Sequence, residues 1–559
     1  MNPIIRQYHP GLAVSLALLI ICSTSQAANF DIKSDDIFDK PELNTDTDQG
    51  FSILESFQSS EVDEKKESYQ SVLELVKQNK LDKAEEKVKA LLKQYPEESE
   101  YHSLQALLQT LKKNPQGAVK SYEQALKLNP NSQIALLGLA TISLETNDLK
   151  SAEDSANKAL ALNPKLIKAY FLKADIAYKQ KNDQEVENAL STALNRVKGD
   201  KNLETQVTEN LFKFYLLKKQ PEKALTLTQN LAKNYPDDKQ SLSLLAKAQI
   251  LNKKQEEGEQ TLLKIINQDE KDIDHRLFLA QITGDQEGKQ KAALDLINEA
   301  LKIDPNNGPA LTLKTAFLIK TKNFEEALNQ ANYIEAQFPK LAVGKMLKAD
   351  VYLAQNELEK ALDINQQAYK IQPNPKLLNN IISLLTTQGK TDEAIKMLEN
   401  YLDKNNQDLD AHFKVANLFY VQKNYPKAES HYQFILKEKP DNAIVLNNLA
   451  MLYQDQNDPK SLDYAKQAYN KSPNSAAIAD TYGTSLLKQG HNKEALETLK
   501  KAAELAPTVY DIQFHLAKAY DANGNTKTAI EILEKIVSIQ DKFTTQESAV
   551  GLLNELKGK

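Results

Sequence analysis

Small apolar residues return along this chain at an interval of about 34, with polar stretches filling the spaces between them. One series runs Ala84, Ala118, Ala152, Ala224, Ala293, Ala327, Ala361, Ala394, Ala428, Ala495 and Ala529, with Val186, Gly258 and Ser461 standing in at missing beats. A second, about twelve residues earlier, runs from Ala106, Ala140 and Ala174 to Ala416, Ala450 and Ala517. A third is made of prolines and follows the first by about twelve: Pro96, Pro130, Pro164, Pro236, Pro305, Pro339, Pro373, Pro440, Pro473 and Pro507. Alanine lets two helix backbones approach closely, and proline cannot continue a helix. The pattern predicts antiparallel helix pairs, each stopped by proline, repeated along the chain.

This register resembles the tetratricopeptide repeat (TPR), which has a small residue in its first helix, alanine in its second and proline at its end. The resemblance implies an all-α fold: a right-handed α-solenoid of about fourteen helix-turn-helix units over residues 64–543. Residues 544–559 are expected to form a capping helix. Thr544 would cap it, Glu547 would reach back, and Val550, Leu552, Leu553 and Leu556 would supply its apolar face. The interval from Val186 to Ala224 is longer than the rest, with extra residues at Lys198-Gly199-Asp200-Lys201, so a longer turn and a seam are expected near 196–204. Smaller slips fall near Gly284 to Gly288 and at Asn457-Asp458-Pro459.

The first residues follow another pattern. Arg6 precedes an apolar run from Leu12 to Cys22, and Ser25-Gln26-Ala27 places small residues before Ala28. Residues 1–27 read as a signal peptide cleaved after Ala27, which implies a periplasmic body. The competing reading is an uncleaved membrane anchor. Ile21 stands where an acylated cysteine would need a small neighbour, so Cys22, the single cysteine, belongs to the apolar run. The mature chain then has no thiol for a disulfide, a zinc site or nucleophilic attack. Residues 28–63 are acidic and lack helical period, and read as a disordered leader.

Charge and motif content narrow the function. A net charge of −6 over 559 residues is nearly balanced, and arginine occurs only at Arg6, Arg196 and Arg276, which argues against a nucleic-acid partner. The seven histidines are scattered and form no H-E-x-x-H pair, and no phosphate loop or nucleophile elbow occurs. No cofactor, metal or catalytic residue is expected, and the chain reads as a non-enzyme.

Function then resides in a surface. In the TPR family four positions of each first helix face the concave groove. Carried over, they give Lys168, Phe171, Asp175 and Tyr178 in one repeat, then Asn379, Phe413, Asn417 and Tyr420, then Asn447 and Met451, and finally Phe514 and Lys518. Asparagine can both donate to and accept from an extended backbone, and aromatic rings anchor tolerantly. The carboxylate clamp of TPR chaperones finds only Asn417 and Asn448 here, because Phe413, Ala477 and Thr481 stand where it needs cations. The run Asn447 to Gly490 resembles TPR proteins of exosortase-linked exopolysaccharide loci in Gram-negative bacteria. Together these imply a monomeric or weakly associating scaffold that binds an extended peptide or a partner domain, in exopolysaccharide export or outer-membrane assembly. The alternatives are a membrane-anchored subunit of an envelope complex, and a regulator of an envelope glycosyltransferase or hydrolase.

Overall fold

The computed structural model describes residues 62–539 and 542–558. The expected signal peptide, Cys22 and nearly all of the acidic leader lie outside these residues. Among the described residues there are 29 helices and no strand. They succeed one another as fourteen pairs and one further helix.

The chain divides into two compact units, one ending at Phe317 and the other beginning at Leu318. The N-terminal unit opens with α1 (Val62–Lys77) and α2 (Leu81–Gln94), then α3 (Ser99–Leu111) and α4 (Pro115–Leu128). It continues with α5 (Gln133–Glu145), α6 (Leu149–Leu162), α7 (Ile167–Lys179) and α8 (Asp183–Arg196). Next come α9 (Lys201–Leu217), α10 (Pro221–Asn234), α11 (Lys239–Leu251) and α12 (Gln255–Gln268). Then follow α13 (Ile273–Gly284) and α14 (Gln290–Ile303), and the division falls within α15 (Gly308–Lys320).

The C-terminal unit holds α16 (Phe324–Gln337), α17 (Val343–Ala354), α18 (Leu358–Ile371) and α19 (Pro375–Thr387). Its middle is α20 (Thr391–Leu402), α21 (Leu409–Val421), α22 (Tyr425–Glu438) and α23 (Ala443–Asp455). It closes with α24 (Lys460–Lys471), α25 (Ala476–Lys488), α26 (Asn492–Leu505), α27 (Tyr510–Ala522), α28 (Thr526–Val537) and α29 (Gln546–Gly558).

Each unit is an all-α solenoid whose helices pack on their neighbours in sequence, so every core is local. The alanine beats are the crossing points: Ala84, Ala118, Ala152, Ala327, Ala361, Ala394, Ala428, Ala495 and Ala529 are fully buried, as are Ala106, Ala140, Ala174, Ala416, Ala450 and Ala517. Each proline of the third series stands two residues beyond a second helix, from Pro96 after Gln94 to Pro507 after Leu505. Side-chain caps start many helices: Asn114, Ser132, Asp148, Asn182, Asp238, Asp408 and Asn442 each accept a backbone N–H of the first turn.

Every turn between the helices of a pair contains one residue with positive φ. Four are glycines (Gly288, Gly389, Gly490 and Gly524), four are asparagines (Asn79, Asn147, Asn356 and Asn457) and six are lysines (Lys113, Lys181, Lys219, Lys253, Lys322 and Lys423). That residue reverses the chain within three to five residues, so both helices can share one core.

The extra residues near 198–201 are absorbed by a longer helix. α9 has 17 residues where α7 and α11 have 13. The core runs through this turn: Val186, Leu190, Val197, Val207 and Leu211 belong to one cluster. At the C-terminus α29 buries Ala549, Leu553 and Leu556 against Phe514, Leu533 and Ile536. Thr545 adjoins the helix, its carbonyl accepts from Ala549 N–H at 2.8 Å, and its N–H and hydroxyl donate to Asp511 of α27 at 2.7 and 2.8 Å. A carboxylate from a neighbouring helix thus holds the first turn in place.

Candidate partner-binding face

First helices of successive pairs approach one another directly. In the N-terminal unit α1 meets α3, α3 meets α5, α5 meets α7 and α9 meets α11, and in the C-terminal unit α23 meets α25 and α25 meets α27. The face they share therefore runs from α1 through α7 in the N-terminal unit and from α23 through α27 in the C-terminal unit, and its side chains come from positions about one repeat apart.

In the C-terminal unit these side chains form a polar ladder. Lys414 Nζ of α21 donates to Asn379 Oδ1 of α19 at 2.8 Å. The Tyr420 hydroxyl of α21 donates to Asp455 Oδ2 of α23 at 2.7 Å, and Asn448 Nδ2 of α23 donates to Asn417 Oδ1 of α21 at 3.1 Å. Gln454 Nε2 donates to Thr484 Oγ1 of α25 at 3.0 Å, and Lys488 Nζ reaches the Gln454 carbonyl at 2.7 Å. Asp480 of α25 pairs with His515 Nδ1 of α27 at 2.8 Å. A charged or amide group at each step presents donors and acceptors at spacings a repeat apart. Val421 and Ile444 add exposed apolar surface at the end of α21 and the start of α23.

Asn379, Phe413, Asn417 and Tyr420 are brought together here. Asn379 is exposed, while Phe413, Asn417 and Tyr420 are half-buried. Tyr432 of α22 ties the group to the core: its hydroxyl donates to Asn417 Oδ1 at 2.5 Å and its ring stands 6.4 Å from that of Phe413. Burial and the Asp455 hydrogen bond push the Tyr420 phenol up, so it remains a donor at physiological pH.

Two expected residues are buried. Asn447 of α23 is only 2 % exposed. Its Nδ2 donates to Met451 Sδ at 3.4 Å, and its Oδ1 has no hydrogen-bond partner among the described residues. Phe514 is 6 % exposed and packs with Ala549 and Leu553, since α29 covers the position that a following repeat would leave open. Met451 is half-buried. Lys518 lies 5.7 Å from the Phe514 ring centroid.

Phe171 and Tyr178 belong to the N-terminal unit, where both are half-buried against its largest core. Lys218 Nζ stands 5.8 Å from the Tyr178 ring centroid. On the same helix, burial depresses the Lys168 ammonium and pushes the Asp175 carboxyl up to about 7, with Lys179 opposing the latter. Sequence reasoning missed Lys414, Asp455, Gln454, Thr484 and Asp480, although each recurs about one repeat from its partner.

It also missed Asp350 of α17. Burial raises this carboxyl to about 7, and Lys376 of α19 only partly offsets that. The folded value lies above the unfolded one of about 3.9. The folded form therefore holds an extra proton between about pH 4 and 7, and stability falls as pH rises through that window. Asp350→Asn should change nothing at pH 4. At pH 8 it should stabilise the C-terminal unit by about 1–2 kcal/mol, a figure discounted for the solvent that still reaches the group. Hydrogen-exchange protection of α17 to α19 at the two pH values measures this, and equal protection at pH 8 would refute it.

Among the described residues, no group of three or more His, Asp or Glu side chains could hold a metal ion. No described helix is long and apolar enough to cross a membrane.

Tetratricopeptide repeat family models match residues 69–120 and 112–167, and again residues 385–452 and 486–550. Human protein O-mannosyl-transferase TMTC1 is 24% identical over 173 residues, which cover 30% of this chain and 19% of that protein. The chain thus matches about a fifth of that relative's length. Among solved structures, the APC/C hetero-tetramer Cut9-Hcn1 is similar over 82% of this chain and 96% of its own, at 16% identity and a TM-score of 0.34. Naa15/Naa10 bound to HypK-THB is similar over 88% and 91%, at 14% identity and a TM-score of 0.34. Yeast Tom70 is similar over 84% and 96%, at 15% identity and a TM-score of 0.26.

Proposed function

We propose that this chain, which carries tetratricopeptide repeats near both ends of its described length, is a non-catalytic scaffold that binds protein partners along the first helices of its C-terminal unit. The observation that carries this reading is the ladder from Asn379 through Asn417, Tyr420 and Asp455 to Asp480 and His515. Its groups are spaced to meet an extended segment, and the half-buried Phe413 and Tyr420 offer apolar anchoring beside them. Binding at several steps at once would supply affinity by avidity.

The sequence of the first 27 residues supports a periplasmic setting, and the run Asn447 to Gly490 supports a role in exopolysaccharide export or outer-membrane assembly. The transferase activity in the relative's name is not carried over, because the similarity covers 19% of that protein.

The test is crosslinking in intact cells with tagged full-length chain, beside a variant carrying Phe413→Ala, Asn417→Ala and Tyr420→Ala. A dominant partner is expected with the native chain and should fall at least tenfold in the variant. A partner captured equally by both would overturn the assignment of this face. Fractionation with N-terminal sequencing of the same material checks the setting: a periplasmic chain beginning at Ala28 is expected, and a membrane-bound chain keeping residues 1–27 would favour the anchored subunit.

A further inference from the structure

Behind Phe413 and Asn417, two histidines meet between α21 and α22. His412 Nδ1 and His431 Nδ1 are 2.8 Å apart, and His412 Nε2 lies 3.1 Å from the Asn406 carbonyl in the turn before α21. A carbonyl oxygen only accepts, so His412 carries its proton on Nε2 and presents a bare Nδ1. His431 must then donate from Nδ1. The two tautomers are fixed by a single chain of hydrogen bonds, from His431 through His412 to the turn at 403–408.

This chain tolerates one added proton and not two. The first can enter at His431 Nε2 and leaves the Nδ1–Nδ1 bond intact. The second has only His412 Nδ1 to occupy, and it would set two N–H groups head to head at 2.8 Å. Two imidazolium rings would then face each other in a site that buries most of His412.

The surroundings oppose charge. The Phe434 ring is stacked 4.1 Å from His412, and Phe419 is stacked 5.9 Å from His431 with Lys427 Nζ only 4.7 Å from that Phe419 ring. Burial holds the His431 imidazole below its ordinary range, His412 and Lys427 add to this, and Glu399 of α20 opposes it. Glu399 is itself paired with Lys427 at 3.2 Å. Asp408, heading α21, accepts from the Tyr401 hydroxyl at 2.8 Å and from two backbone N–H groups. Asp410 is paired with Lys414, and Glu429 accepts from the Tyr453 hydroxyl of α23 at 2.6 Å.

We propose that the His412–His431 pair is an acid-sensitive latch that holds the start of α21 closed near neutral pH and releases it, with any partner bound at Phe413 and Asn417, when the pair takes up its second proton. The release half rests on the scaffold reading above, and the latch half does not. The second proton is opposed by the head-to-head N–H groups it would create, and the first acts with the same sign at His431. Its folded value is depressed relative to about 6.5 in the unfolded chain, so the stability it contributes is present above that pH and is lost as pH falls toward the folded value.

Hydrogen exchange on the full chain tests the latch without any partner. Between pH 7 and pH 5, corrected for intrinsic rates, amides of residues 403–413 should exchange at least tenfold faster, while those of α25 and α26 should change little. His431→Asn keeps a donor at the Nδ1 position and cannot become charged, so it should hold the acceleration below twofold. No acceleration in the native chain, or the same acceleration in His431→Asn, would overturn the latch. Side-chain NMR of labelled histidine gives a second reading that needs no variant: two linked steps separated by more than one pH unit support the pair, and independent titration near 6.5 overturns it. Crosslinked partner released at pH 5 from the native chain but kept by His431→Asn supports the release half, and retention by both overturns it. Failure of the scaffold reading looks different, because no partner would be captured even at pH 7.5.

Discussion

Tyr432→Ala is expected to lower the stability of the repeats around α21 and α22 by about 4 kcal/mol, the usual range for emptying a buried aromatic site. Tyr432 is 1 % exposed and its ring lies in the core cluster with Val415, Ile435 and Leu449. Its hydroxyl also serves the binding face, donating to Asn417 at 2.5 Å and standing 3.4 Å from Asn448 Nδ2. Truncation to alanine removes both the ring volume and the group that fixes two amides, so partner capture should be lost together with local stability. Tyr432→Phe separates the two effects. It keeps the ring, removes the hydroxyl's hydrogen bonds to Asn417 and Asn448 and should cost about 1–2 kcal/mol. Solenoids often unfold in parts, so a single global midpoint is a poor readout. Exchange protection of α21 to α23 is the suitable one. A loss below about 1 kcal/mol for Tyr432→Ala would show that neighbouring side chains can fill the space, contrary to the packing described.

Gly344→Ala comes second in expected effect. Gly344 lies in the first turn of α17, where a Cβ would stand 2.6 Å from the Glu335 backbone nitrogen and 2.7 Å from its Cα. Two contributions compete. Alanine is the better helix former by about 1 kcal/mol, but backbone atoms of α16 cannot rotate away as a side chain can. The clash should win and give a net loss of about 2–3 kcal/mol, because α16 and α17 must separate by a fraction of an ångström along their whole contact. Gly551→Ala in α29 is the internal control. No atom lies within 4 Å of its would-be Cβ, so propensity acts alone and the substitution should stabilise by up to about 1 kcal/mol. Exchange protection at α16–α17 and at α29 reads both. A neutral Gly344→Ala would mean that the closeness of these helices is not set by this glycine.

The contrast between these glycines indicates what could be read in the sequence and what could not. Backbone crossings repeat at fixed intervals, so alanines and prolines disclosed the pairs and their ends. Side-chain burial on the binding face follows a different rule. Asn447 and Met451 are both expected groove positions four residues apart, yet Asn447 is buried and Met451 half-buried. Phe514 is hidden because α29 takes the place of another repeat. The histidine pair joins residues 19 apart on two helices, and a scattering of seven histidines gave no hint of it. Such contacts depend on how closely particular helices approach, which a one-dimensional period does not encode. The ladder partners lie in between, since each sits about one repeat from its mate.

The turn residues with positive φ carry a consequence for how copies of this chain behave together. A left-handed backbone costs an ordinary residue about 1–2 kcal/mol, which glycine avoids and asparagine tolerates. Lysine has neither advantage, yet it fills six of these fourteen turns, four in the N-terminal unit and two in the C-terminal unit. The strained conformation places an ammonium group at recurring points where one helix of a pair gives way to the next. Repeating surfaces are prone to lateral stacking on their own kind, since whatever fits one repeat fits them all. Like charges at these six turns make that register repulsive, so the conformational strain they carry works against self-association at crowded concentrations.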